Sequence, residues 1–385
     1  MRCVSIGLCA LQLAVFTGCR SSPLKPDTSF YPIGIYSVPA TNDFDTVRQG
    51  GFNVITGPAE QGFLDAAQKA GLKVLSVPGG TQAGAHFNPA AATISVRSLD
   101  AHPALWAWYL SDEPDLNLIS PDAVVAAQRV VKAAGARKPT ALVIYQGYSA
   151  LDYANLADIT MVDRYPIPWL PLANLGQHVE MVRLALGKEK PLIAVIQAFD
   201  WTSDKEALPD EKNLRPPTYQ EMRCMTYDAL ARGANGLFYF AFDAGWRMRE
   251  HPETWSALSN IVQEVNTRLP LFTARRQWWP KAHQFGDPAQ RYNAALQSSI
   301  SSVLLRAVKG NAAIPAGDYI LAVNNTPKPI DYSFALPKEG SGRPQPLTKP
   351  QAAVPVIGEL RALRPEGRRL KDSFGPYAVH IYGPL

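Results

Sequence analysis

From Tyr31 onward the chain repeats one alternation, a short run of apolar, β-branched or aromatic residues followed by a stretch with helical spacing. The apolar runs fall at residues 33–38, 53–56, 73–77, 105–111, 141–145, 159–162, 192–196 and 237–242. Each is nearly continuous rather than alternating, as in the strands of a parallel sheet covered on both faces. Helices are expected over 44–49 and over 61–70, the second stopped by Gly71. Ser120-Pro121 supply N-cap and first-turn chemistry for a helix that Gly135 closes. Thr218 with Glu221 three places on forms a capping box opening a helix that ends near Gly233, and a last helix is expected from about Thr254 to Arg268. Eight such units between residues 30 and 275 match the size of a (β/α)8 barrel. The rival, an open doubly wound sheet, would want a glycine-rich phosphate turn after the first strand, and Ser37-Val38-Pro39-Ala40 is not one.

Beyond Trp278-Trp279-Pro280, a pair of tryptophans expected to glue two domains together, the helical period disappears. Strand-like runs at 302–308, 318–323, 330–336 and 378–382 are separated by turn signals such as Asn324-Asn325-Thr326-Pro327 and Gly340-Ser341-Gly342. The expected fold class is therefore α/β, a TIM barrel over 30–275 followed by a small C-terminal antiparallel β-sandwich over 276–385.

Composition narrows the picture. Of 385 residues, 46% are hydrophobic and 18% charged, which excludes disordered and fibrous classes. Lys+Arg 38 against Asp+Glu 33 is a weak positive balance, with no basic run of five, so nucleic acid is not an expected partner. Three of the four cysteines lie in the first 19 residues, and Cys224 stands alone. There, Arg2 precedes an apolar stretch ending at Phe16-Thr17-Gly18-Cys19, too short to span a bilayer and closed by small residues. It resembles a bacterial lipoprotein signal, with Phe16 in place of the usual Leu. The resemblance implies cleavage after residue 18, lipidation of Cys19 and a tether over 19–29; an ordinary cleaved export signal is the alternative. The protein is expected outside the cytoplasm, in the periplasm or at the cell surface, touching the membrane only through that N-terminal anchor.

Barrel sites form at the C-terminal ends of the strands. The fourth run ends in Ser111-Asp112-Glu113-Pro114, the sixth in Asp163-Arg164-Tyr165-Pro166, the seventh in Gln197-Ala198-Phe199-Asp200-Trp201, and the eighth in Asp243-Ala244-Gly245-Trp246. Carboxylates interleaved with Trp and Tyr point to an oligo- or polysaccharide. Glycosyl transfer uses two carboxyl groups, and aromatic faces offer flat platforms for pyranose rings. Strand alternation groups Ala107, Tyr109, Ser111 and Glu113 on one side, Asp163 with Ile159 and Met161, and Gln197 with Ile193 and Val195.

Trp108-Tyr109-Leu110-Ser111-Asp112-Glu113-Pro114 resembles the Trp-x-Leu-x-Asn-Glu-Pro signature of the large clan of (β/α)8 glycoside hydrolases. The resemblance implies that Glu113 is the general acid, with a pKa raised by its surroundings and by Asp112. It departs from the pattern at Asp112, where the clan has Asn, and at Gln197, which stands where the clan's nucleophilic Glu is expected. Three readings remain open. Glu113 acts with Asp163 or Asp243 as base or nucleophile; or Asp112-Glu113 works as in substrate-assisted hexosaminidases; or the protein binds sugar without chemistry. Tyr165, Gln197, Asp200, Trp201 and Trp246 are expected to contact substrate, although Asp163 pairing with Arg164, a core role for Gln197 and plain packing of the tryptophans are the competing expectations. No cofactor and no metal are expected: the six histidines are scattered without an i,i+4 pair, and no Gly-x-Ser-x-Gly elbow or phosphate-cradling glycine loop occurs.

Overall fold

A computed structural model describes residues 30–204, 213–273, 299–336 and 352–385. Eight parallel strands close in sequence order into a barrel. They are β1 (Ile33–Ile35), β2 (Val54–Thr56), β3 (Lys73–Ser76), β4 (Leu105–Asp112), β5 (Thr140–Ile144), β6 (Ile159–Asp163), β7 (Leu192–Gln197) and β8 (Leu237–Phe240). Around them run α1 (Phe44–Gln49), α2 (Gln61–Lys69), α3 (Pro89–Leu99), α4 (Pro121–Ala133), α5 (Ala150–Tyr153), α6 (Ala173–Leu186), α7 (Tyr219–Ala231), α8 (Pro252–Thr267) and α9 (Leu269–Phe272). The expected TIM barrel is the observed one.

Alternation along each strand divides the apolar residues into two cores. Leu75, Val143, Met161, Val195 and Phe238 fill the lumen, while Ile35, Leu142, Val162 and Ile196 pack outward against the helices. The lumen is a packed interior and not a pore, so chemistry is confined to its rim. Gly34 on β1 faces Phe238 on β8, and a Cβ at residue 34 would lie 2.4 Å from that ring. A side chain there would compete with the phenyl group for one layer of the lumen.

Four helices, α3, α6 and the one-turn α5 and α9, are absent from the sequence-based expectation. Helix α3 does carry a start signal, since Asn88 accepts a hydrogen bond from the Ala91 amide at 3.1 Å and Pro89 occupies the first turn. Helix α7 begins with the expected capping box of Thr218 and Glu221. Glu221 is also held by Arg215 at 2.7 Å, so its carboxylate serves the helix start.

A short hairpin, β9 (Asp243–Ala244) and β10 (Trp246–Arg247), follows β8. The C-terminal region consists of small antiparallel sheets: β11 (Ile300–Ala307), β12 (Gly317–Asn324) and β17 (Val379–Tyr382) form one, β13 (Ile330–Ala335) pairs with β16 (Arg369–Phe374), and β14 (Val354–Pro355) with β15 (Ala362–Leu363). Strands β14, β15 and β16 were not expected; in the Arg369–Phe374 run, apolar residues occupy only one face. These sheets dock on α7. The Cys224 thiol lies 3.5 Å from the Asn324 carbonyl, Arg223 reaches the Val379 carbonyl at 3.5 Å, and the Ser301 hydroxyl donates to Asp228. A helix covered on both sides is buried nearly all round, which is why α7 lacks a marked polar face. Residues 1–29, including Cys19, and the Trp278-Trp279 pair lie outside the described residues. No helix among the described residues is long and apolar enough to cross a membrane.

Gly34→Ala should destabilise the protein by about 1–3 kcal/mol through overpacking against Phe238. Urea unfolding would measure this, and Phe238→Leu in the same chain should recover part of the loss; no loss in the single variant would show that the lumen has spare room.

Candidate active site at the mouth of the barrel

The alternation read from the sequence fails on β4, and the failure makes the site. Tyr109 lies opposite Ala141 of β5, but the register then shifts, so that Ser111 faces Leu142 and Asp112 faces Val143. Ala141 and Val143 are lumen residues and Leu142 is an outer one. The bulge therefore turns Ser111 outward, where it is fully buried, and swings Asp112 inward with Tyr109. This corrects the grouping of Ser111 with Tyr109. Glu113 follows with φ +44°, a left-handed conformation that non-glycine residues rarely adopt. Its carbonyl accepts from the Asn117 amide at 2.9 Å and from Asn117 Nδ2 at 3.1 Å, which holds the turn. The Asp112 amide donates to Gln82 Oε1 at 2.8 Å.

This turn brings Glu113 from β4 beside Asp163 at the end of β6, near enough for each carboxyl group to act on the other. Neighbouring acids of this kind disfavour a second negative charge. Asp163 is 5% exposed. Burial, and next the charge of Glu113, push its pKa well above the usual carboxylate range. Burial also raises Glu113; there Asp163 pulls the other way, while the nearby charges of Asp112 and Asp115 add to the rise. Asp112 is likewise raised by burial.

Tyrosine hydroxyls hold the acids in place. Tyr109 donates to Asp112 Oδ1 at 2.5 Å, and its own oxygen lies 3.2 Å from the Tyr36 hydroxyl. Tyr165 donates to Asp163 Oδ2 at 3.0 Å. Burial raises all three phenols well above their ordinary value, so they remain neutral donors. Tyr36 and Tyr109 were not among the expected site residues, although Tyr36 shares the lumen side of β1 with Gly34, a signal that strand alternation carries. The expected alternative for Asp163, pairing with Arg164, does not form. Arg164 lies with its guanidinium 4.1 Å from the Tyr145 ring centre, donates Nε to Asn174 at 2.9 Å, and acts on Glu113 by favouring its ionised form.

The remaining expected residues are distributed differently. Gln197 is fully buried, and its carboxamide is committed to backbone: Oε1 accepts from the Ile167 amide at 2.9 Å, and Nε2 donates to the carbonyls of Ile167 at 2.9 Å and Phe199 at 3.2 Å. It clamps the loop after β6 to the loop after β7. Asp200 is also buried and caps a local turn by accepting from the Thr202 amide at 2.9 Å. Trp201 donates Nε1 to the Ile167 carbonyl at 3.0 Å, and its ring packs on Phe199 at 4.9 Å and Trp169 at 5.6 Å. Trp246 is buried and stacks on His251 at 4.4 Å. Asp243 is half-buried on the hairpin after β8, its amide bonded to the Ser37 carbonyl at 3.0 Å, and its carboxylate makes no hydrogen bond or ion pair among the described residues. Asp112, Glu113, Asp163 and Tyr165 thus meet at one point, while Gln197 and Trp201 buttress the loop beside it.

Solved structures share this architecture. AmyP in complex with maltose superposes with a TM-score of 0.53 at 8% identity, covering 89% of this chain and 88% of that one. The α-amylase of Geobacillus thermoleovorans complexed with acarbose gives 0.54 at 9% identity, covering 91% and 97%. The likeness fixes the fold. A putative α-galactosidase/melibiase of Bacteroides fragilis gives 0.55 at 8% identity, covering 91% of this chain and 78% of that one. These structural neighbours are glycoside hydrolases on eight-stranded barrels. No protein-family model and no curated protein matches the chain.

The raised carboxyls also set a pH dependence of stability. In the folded protein Glu113 and Asp163 keep protons to higher pH than in the unfolded chain, so the folded state binds more protons between the ordinary and the raised values. Stability therefore falls as pH rises through that window. Asp163→Asn cannot ionise, and its unfolding midpoint should decline less than that of the wild type between about pH 4 and pH 8. Equal slopes for the two proteins would mean that the buried pair does not titrate with folding.

Proposed function

We propose that this protein cleaves O-glycosidic bonds in an oligo- or polysaccharide with Glu113 as general acid. One observation carries the reading: Glu113 stands at the mouth of the barrel beside a second, buried carboxyl group, Asp163, and burial holds its pKa above the usual carboxylate range. A general acid must hold its proton at working pH, and burial beside other acids is the usual way to arrange this. Trp169, 43% exposed and packed on Trp201, offers a ring face to a pyranose beside the site. The sugar ligands of AmyP and of the Geobacillus thermoleovorans enzyme, maltose and acarbose, support an oligosaccharide as the class of partner.

We read Asp163 as the second carboxyl group beside Glu113, and Gln197, tied to backbone, as taking no part in transfer. A second reading draws on the inward turn of Asp112, secured by Tyr109. Asp112 would orient a 2-acetamido group of the substrate, which supplies the nucleophile in place of a protein carboxylate. Export through the N-terminal signal, with a lipid on Cys19, completes the proposal and accords with a glycan substrate outside the cytoplasm.

A panel of polysaccharides and aryl glycosides, with and without 2-acetamido groups, tests both readings. Glu113→Gln should lower release of reducing ends or aryl alcohol by about 100- to 10,000-fold while binding persists. Activity confined to 2-acetamido sugars would select the substrate-assisted route. A wild-type protein that binds glycan and releases nothing would leave a binding protein and end the enzymatic reading.

A further inference from the structure

We propose that Arg164 sets the specificity of the mouth, its guanidinium receiving a carboxylate carried by the sugar, so that the ligand is an acidic glycan. This rests on reading the mouth as a glycan site and adds the chemical class of the glycan.

Arg164 follows Asp163, the last residue of β6, and Tyr145 follows Ile144, the last of β5. Ile144 lies opposite Val162 across the two strands, so Tyr145 and Arg164 both stand on the rim. A chain of contacts joins them to the acids. The Arg164 guanidinium sits over the Tyr145 ring, 4.1 Å from its centre, and the Tyr145 amide donates to Asp115 Oδ1 at 3.0 Å. Asp115 is two residues beyond Glu113. The arginine is thus held in one pose from two directions, by the ring beneath it and by Asn174 in the first turn of α6, whose Oδ1 accepts from Nε at 2.9 Å. The edge formed by Nη1 and Nη2 remains. Nη1 is buried and has no acceptor among the described residues, and Arg164 forms no ion pair there.

The acids of the rim are engaged elsewhere. Asp115 accepts from the Tyr145 amide and from the Gln146 amide at 2.8 Å, while Asp112 and Asp163 accept from the hydroxyls of Tyr109 and Tyr165. His178 is no partner either: its Nδ1 accepts from the Gly147 amide at 2.6 Å. Burial, and next the charge of Arg164, lower the His178 pKa to about 4, so its ring is neutral. A buried N–H without an acceptor is a standing cost that a ligand's acceptor removes. A planar carboxylate meets the guanidinium edge with two parallel charge-assisted hydrogen bonds, a match that a sugar hydroxyl does not provide. The body of the sugar has a platform on the same loop in Trp169, five residues on and 43% exposed. The pairing also suits a general acid at Glu113. Arg164 favours the ionised form of Glu113, and a ligand carboxylate on the guanidinium cancels that pull, so Glu113 keeps its proton when the acidic sugar is bound. The carboxylate is that of a uronic acid at C6 or one on an ether substituent, as in N-acetylmuramic acid.

Calorimetric titration of the full chain with three matched pairs of tetrasaccharides tests this. The pairs are glucuronic acid against glucose, galacturonic acid against galactose, and alternating N-acetylmuramic acid against N-acetylglucosamine. In at least one pair the acid should bind about tenfold or more tighter than its neutral partner, and the ratio should shrink as salt is raised. A preference in the first two pairs assigns the carboxylate to C6, and one in the third assigns it to the ether. Arg164→Gln, checked for folding by its thermal midpoint, should bring the ratio to one, and Arg164→Lys, which keeps the charge without the fork, should retain only part of it. The inference is overturned by equal or tighter binding of the neutral member in every pair, or by a ratio that survives Arg164→Gln. A loss in that variant that falls alike on acid and neutral members also overturns it, since Arg164 would then act only through Glu113 or the fold. Should the glutamine variant not fold, an undiminished ratio in Arg164→Lys overturns it. If none of the six binds, the inference fails as well, and hydrolysis of the wider panel by the wild type and Glu113→Gln decides the glycosidase reading separately.

Discussion

The burial of Asp163 beside Glu113 is the constraint on which the site depends. Two carboxylates cannot be buried side by side as anions without a large penalty, and the protein places no basic group between them. It keeps the pair through neutral hydroxyl donors and a proton, at the expense of a preference for lower pH. Burial raises the pKa of both acids, which is what the proposed general acid needs.

The barrel supplies the rigidity that such an arrangement requires. Phe238 fills the lumen against Gly34, and the layers above it end in Tyr36 and Tyr109, whose hydroxyls meet at 3.2 Å. The loop carrying Tyr165 is fixed from the next strand by two hydrogen bonds of Gln197 to the Ile167 backbone. A side chain in the position where a related mechanism would want a nucleophile is here a structural clamp. On the opposite side of the barrel wall, α7 is sandwiched between the strands and the C-terminal sheets, and Asp228 joins Arg232 of its own helix to Ser301 of β11. The C-terminal region thus braces the barrel through α7, a helix on the outside of the wall, and leaves the acids at the mouth to the strands themselves.

Much of this was legible before any coordinates. Eight apolar runs without polar alternation could only be buried on both faces, and buried parallel strands joined by helices close into a barrel at this length. The position of the acids followed as well, because a polar residue that ends an apolar strand has nowhere to go but the rim. Helices α3 and α6 went unseen. The start of α3 is signalled by Asn88-Pro89, but α6 opens at Ala173 with no side-chain cap and ends at Gly187 in an unusual conformation. Strand β16 went unseen because only one of its faces is buried.

The sequence by itself determined the fold class and the set of acids at the rim, since both follow from periodicity and from the free energy of burying apolar surface. It did not determine which acids meet. Side-chain direction in a strand has a period of two, so a single extra residue reverses every orientation beyond it. The bulge in β4 is such a residue, and it exists because β4 must match β5 across the barrel wall, a condition no local stretch encodes. Asp112 faces inward, Glu113 turns back on Asp163, and Gln197 is consumed by a neighbouring loop for the same reason: each depends on what lies opposite in space, which only the closed barrel decides.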